Sequence, residues 1–157
     1  MEDITSCEYW RRLWIVQEVV LAREILIGLG DKFFPWKYLE SIAETVALST
    51  RMQQMEQMDS TRSTINAHTE WMALVEQRSQ WRKKVDNTVT LKSLMSLIQQ
   101  FSRQRCTNVR DKVIGLLGLA SADVTHLADY SLPLEDFFSA VCQHVFAESS
   151  MTIEASQ

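Results

Sequence analysis

The chain has 157 residues, 46% hydrophobic and 23% charged, with a net charge of −4; that length fits one domain able to bury a real core. The acidic balance argues against non-specific nucleic-acid binding, which needs a basic face to release phosphate counterions. Only 4 Gly and 2 Pro argue against a β-sandwich or a disordered chain and favour long helices.

Residues 8 to 22 read as the first helix. At about 100° per residue, Tyr9, Trp10, Leu13, Val16, Val20 and Leu21 form one broad apolar face, with Gln17 near its middle. Ile15 and Val19 share the other side with Arg11, Arg12 and Glu18, so cover is expected on both sides. Glu8 is spaced to pair with Arg12 at i,i+4. The period then changes in "REILIGLGDKFFPW". Glu24 to Gly28 is a short β-branched run, Gly30-Asp31 can turn, and Phe33 and Phe34 can return. A small hairpin or an isolated strand is expected there.

Pro35 fits the first turn of a helix, in which Trp36, Leu39, Ile42, Ala43, Val46 and Ala47 recur at helical spacing. The polar stretch "TRMQQMEQMDSTRST" is either a solvated helix end or a mobile insert. Its Met52, Met55 and Met58 fit a frayed exposed helix better than a core stripe. Residues 65 to 84 read as a helix carrying Trp71, Leu74, Val75 and Trp81, broken by "VDN". Residues 89 to 102 are amphipathic, with Leu91, Leu94, Met95, Ile98 and Phe101 on one stripe. Asn108 can cap a helix with Asp111 at N3, Val109, Val113, Leu116 and Leu117 inward, and Gly118 at its end. A last helix follows Pro133, with Leu134, Phe137, Phe138, Val141 and Val145. The sum is a mainly α chain of five or six helices with one short strand or β-hairpin near residues 24–34, in a single domain over 1–157. Residues 50–66 are a candidate mobile insert.

Signals of chemistry are sparse. Cys7, Cys106 and Cys142 are far apart and odd in number, without a CxxC pair, which reads as reduced intracellular thiols. No run approaches the roughly 20 apolar residues of a membrane span. The acidic start "MEDITSCEYW" lacks a signal-peptide layout, so a cytoplasmic location is expected. His68, His126 and His144 are isolated, with no ligand spacing for a metal. "GLG" and "GLLG" are not phosphate loops, and no cofactor is expected. Glu135-Asp136 opens a helix, where acids offset the positive dipole end.

Two clusters stand out. One is Arg12, Trp14, Gln17 and Glu18; the other is Arg110-Asp111-Lys112. Read structurally, Trp14 packs in the core, Arg12 pairs with Glu8, and Gln17 bonds a neighbouring backbone, since an unpaired buried amide costs about 1–3 kcal/mol. Likewise Asp111 caps its helix and Arg110 makes a salt bridge across a junction of elements. Residue patterns alone therefore end at a cytosolic helical domain with no visible active site.

At these same clusters the chain resembles a known family. "YWRRLWIVQEVVLAREILIGLG", followed by Trp36, is similar to the block W-F-x-R-x-W-x-x-Q-E-…-G-…-W of the fungal heterokaryon incompatibility (HET) domain. "CTNVRDKVIGLLGLA" resembles its later block D-P-R-D-K-[IV]-Y-A-L-L-G-L, and "DYSLPLEDFFSAVCQHV", with Asp129 and Tyr130, resembles the segment after that. Tyr9-Trp10 stands where the family has Trp-Phe, Asn108-Val109 replaces Asp-Pro, and Ile114-Gly115 replaces Tyr-Ala. The family's N-terminal S-Y-x-W-G and D-x-[IL]-C-I-N-Q blocks are missing, so the chain looks like the C-terminal half of the domain, part of a larger α/β unit. The resemblance implies a non-enzymatic module of fungal non-self recognition and programmed cell death. Its partner would be a protein, through self-association or another incompatibility protein. Arg12, Trp14, Gln17, Glu18, Trp36, Arg110, Asp111, Lys112, Asp129 and Tyr130 are the motif residues, structural or interacting, and none is assigned as catalytic. The alternatives are a TIR-like NAD-cleaving enzyme, with Glu18 as its weakly supported carboxylate, or an inert or regulatory remnant.

Overall fold

The computed structural model describes residues 7–56, 70–85, 91–121 and 123–154. Six α-helices and one antiparallel hairpin make up the regular structure of these residues, apart from short 3-10 turns. The chain is mainly α, as its periodicity predicts.

The first apolar segment is not one helix over 8–22. Glu8–Arg11 forms a 3-10 turn, Arg12 is extended at φ −78° and ψ 133°, and α1 spans only Ile15–Leu21. The break has a tertiary cause. Arg105 N donates to Arg11 O at 2.5 Å, and Leu13 N donates to Arg105 O at 2.9 Å. These strand-like bonds, around a parallel bridge between Arg12 and Arg105, occupy backbone groups that a continuous helix would need. The two-sided cover is real: Leu13, Val16 and Val20 are buried, and so are Ile15 and Val19. Tyr9 and Leu21, expected on the inward face, remain exposed.

The hairpin forms as β1 (Leu26–Leu29) and β2 (Lys32–Pro35), with Ile27 opposite Phe34 and Gly28 opposite Phe33. Gly30, at φ 63°, takes the left-handed conformation that the tight turn requires and that glycine adopts without strain. Pro35 closes β2 instead of opening a helix, and α2 begins afterwards, over Lys37–Glu56. Trp36, Leu39 and Ala43 are buried, whereas Ile42 is exposed. The rest of the candidate insert beyond Glu56 lies outside the described residues, as do His68 and the "VDN" break after Val85.

α3 spans Glu70–Val85 and buries Trp71, Leu74 and Val75. α4 is shorter than expected, Leu94–Gln100, because Ser93 caps it by accepting from Ser96 N at 3.2 Å. α5 is a single turn, Asp111–Ile114. It ends before Gly115, not at Gly118, which lies in the 3-10 turn Leu117–Leu119. A Cβ on Gly115 would stand 2.9 Å from Asp111 O and 3.2 Å from Leu13 Cδ2, so this approach admits glycine alone without adjustment. Val109, expected inward, is exposed, while Val113, Leu116 and Leu117 are buried. α6 spans Leu134–Glu154 and buries Phe137 and Val141.

Two apolar clusters hold these elements. One gathers Trp10, Leu13, Trp36, Trp71, Leu74 and Phe101. The other gathers Leu94, Val113, Leu117, Leu127, Phe137 and Val141. α4 joins them, giving Leu94 to the second and Leu97 to the first, with Ile98 packed against both. No helix among the described residues is long and apolar enough to cross a membrane.

Candidate functional site

The two motif clusters meet through the segment before α5. Lys112 Nζ donates to Ser102 O at 2.9 Å and also to Gln104 O. The next residue, Arg105, is the one that bridges Arg12. On the far side of the same junction, the Gln17 amide lies 3.7 Å from where a Cβ on Gly118 would stand.

Around α5 the polar groups face inward. Asn108 is not the N-cap of α5: that position is Arg110, without a side-chain cap bond, and Asn108 Oδ1 accepts from Arg110 N at 3.0 Å in the turn before it. The Asp111 carboxylate is therefore not the cap. It is buried and accepts from the Tyr130 hydroxyl at 2.6 Å. That hydrogen bond, with burial second, pushes the Tyr130 pKa up to about 12, because the neutral phenol is the form that can donate to a carboxylate. Arg110 makes no salt bridge to a described carboxylate. Its Nη2 donates to Leu132 O at 2.6 Å, and its guanidinium carbon sits 6.0 Å from the Phe137 ring centre. Asp129 holds the preceding turn, accepting from Ser131 N at 2.7 Å and Ser131 Oγ at 2.6 Å. Those bonds keep the Asp129 carboxyl below its ordinary pKa and set the turn that presents Leu132 O to Arg110.

Around α1 the polar groups face outward. Glu8 pairs with Arg11 at 3.0 Å and with Arg105 at 3.3 Å, not with Arg12. Arg12 instead lies over the Tyr9 ring, 5.8 Å from its centre. Trp14, expected in the core, is 38% exposed. Gln17 is half-buried and makes no hydrogen bond to a described residue, so the expected bond to a neighbouring backbone is absent there. Glu18 is exposed and accepts from the Tyr9 hydroxyl at 3.1 Å. Burial first, then Glu18, raises the Tyr9 pKa.

Glu18 also stands at the rim of a cleft of about 440 Å³ beside β1, with Tyr9, Trp10 and Trp36 among its lining residues. Trp10 packs edge-on against both other rings, 5.9 Å from Tyr9 and 6.3 Å from Trp36. The volume lies within the range of small-molecule sites, roughly 300–1,000 Å³. Trp36 meets the first cluster as a buried wall of this cleft.

Several residues escaped the sequence reading. Arg78 is buried, and its Nη1 donates to Val19 O at 2.5 Å and to Ala22 O at 2.7 Å, closing the C-terminal end of α1. Burial lowers its pKa. A signal existed: Trp71, Leu74, Val75 and Arg78 lie at i, i+3, i+4 and i+7, so the arginine falls in the apolar stripe. Gln77 and Gln104 are also buried, with amide atoms that bond no described group. His126 and His144, read as isolated, have ring centres 5.7 Å apart. No group of three or more His, Cys, Asp or Glu is placed to hold a metal among the described residues.

Compared with protein-family models, with curated proteins and with solved structures, the chain matches none.

Proposed function

We propose that the chain is a non-enzymatic interaction module of the heterokaryon-incompatibility type. It is the helical, C-terminal part of that domain, and it acts in the cytoplasm in fungal non-self recognition and cell death. Its partner is a protein rather than a nucleic acid. The observation that carries this reading is the exposure of Trp14 beside Arg12, within a motif whose second half is turned inward. Trp, Tyr and Arg are the residues that most often dominate protein interfaces, and Trp14 keeps over a third of its surface exposed.

Expression in a filamentous fungus tests the reading. The chain is expected to be toxic, and Trp14→Ala to abolish toxicity while leaving folded protein at its normal level. Toxicity that survives Trp14→Ala, or that is lost only in variants that also lose the fold, removes the interaction role.

A second reading is TIR-like cleavage of NAD, favoured by the Glu18 carboxylate at the aromatic cleft. Purified chain incubated with NAD would then release nicotinamide, and Glu18→Gln would stop it. No release by the wild-type chain ends that reading for these residues.

A further inference from the structure

Glu18 is the only charged residue among the described residues that line the cleft beside β1. Its Oε2 accepts from the Tyr9 hydroxyl at 3.1 Å, and its Oε1 bonds no described group. No described cation pairs with it either. The ion pairs of the described residues join Glu8 to Arg11 and Arg105, and Glu76 to Lys92. Arg12 and Arg78 lie over Tyr9 and Trp36, 5.8 Å and 5.9 Å from the ring centres, and neither lines the cleft. The rest of the lining is Tyr9, Trp10 and Trp36, with Cys7, aliphatic side chains and Gly28. A rim carboxylate without a paired cation thus stands beside aromatic and aliphatic walls.

We propose that this cleft binds a small organic ammonium ion, a protonated amine carried on an apolar, aromatic body. The lining selects against other classes. An anion would meet Glu18 and no cation. A strongly polar neutral molecule would give up water along the walls without regaining its hydrogen bonds. An ammonium ion on an apolar body meets both demands. Its N–H donates to Glu18 Oε1 in a charge-assisted bond, and aromatic rings attract its charge. Its body meanwhile leaves water against the aromatic and aliphatic walls. The volume of about 440 Å³ lies toward the small end of ligand pockets, which suits one ring on a short arm. Because Glu18 is exposed, its ion pair with the ligand contributes modestly, and the walls supply most of the affinity. Such binding requires neither the interaction role nor NAD cleavage.

Calorimetric titration of the full chain with phenethylamine tests this, with circular dichroism as the check on folding. The amine should bind roughly fivefold more tightly than phenethyl alcohol, which has the same ring without the charge. Methylamine, with the charge but no ring, should show no binding at the same concentrations. Glu18→Gln, at an exposed position, should bring amine and alcohol to the same affinity in a folded chain. Cys7 reports the place of binding. Bound amine should slow the alkylation of Cys7, which is half-buried in the lining, and leave that of the exposed Cys142 unchanged. A folded chain that does not bind the amine, or that binds amine and alcohol equally, overturns the proposal. So does an amine preference that survives Glu18→Gln, or binding that leaves Cys7 alkylation as fast as before.

Discussion

Around Asp111 the motif side chains turn to groups of the chain itself: Asp111 to Tyr130, Arg110 to Leu132 O, Lys112 to Ser102 O and Gln104 O. Around Trp14 the comparable residues turn away, with Arg12 stacked on Tyr9 and Trp14 at the surface. Both segments read alike in sequence, as charges and amides set among apolar residues. What separates them is the nearby backbone. The 129–132 turn brings a carbonyl and a hydroxyl to α5, where buried polar groups must be paired. At α1 the carbonyls of its C-terminal end are taken by Arg78 from another helix, while Arg12, before its start, lies over the Tyr9 ring. The two clusters thus divide into one turned to groups within the fold and one that leaves Arg12 and Trp14 exposed.

The sharpest way to break this contrast is Arg110→Ala. It removes a charged donor to Leu132 O and the cover over Phe137, leaving a part-buried carbonyl unpaired. A loss of about 2–3 kcal/mol is expected, read as the shift of the urea midpoint at constant slope. A loss below about 0.5 kcal/mol would mean that the inward cluster does not hold the fold.

Tyr130→Phe tests the same cluster through its proton. Removing the hydroxyl leaves the Asp111 carboxylate without that donor, and about 1–2 kcal/mol should be lost at neutral pH. The folded pKa of Tyr130, about 12, stands above its ordinary 10.0. Its contribution is therefore fully present below pH 10 and fades as pH rises through about 12. Denaturation of wild type and variant across that window should show the gap closing. A gap that stays constant would place the stabilisation elsewhere.

Smallest in stability is Trp14→Ala, expected to cost about 1 kcal/mol, since over a third of the ring is already solvated. Its effect should appear in partner binding or toxicity instead. A thermal shift as large as that of Arg110→Ala would erase the distinction between the two clusters.

Much of the fold was legible. Gly30-Asp31 between apolar runs marks the hairpin by local turn chemistry, and α6 follows from Pro133 and the spacing of Phe137 and Val141. The site was less so. The burial of Trp36 has a local signal in its spacing with Leu39 and Ala43. The Asp111–Tyr130 bond, the Glu8–Arg105 pair and the carbonyls that Arg78 reaches do not follow from periodicity, because each partner lies in another segment.

By itself the sequence determined which stretches become helices, where the chain turns, and that the Ile15–Val20 stretch must be covered on two sides. These are consequences of local sterics and hydrophobic spacing. Only the tertiary structure decided that Arg12 interrupts the first helix, that Trp14 faces outward while Asp111 faces inward, and that Glu18 borders a cleft. The reason is hydrogen-bond competition at a distance. Arg105 offers Arg11 and Leu13 a strand-like pairing, and the helix yields there because the backbone groups it would need are already taken.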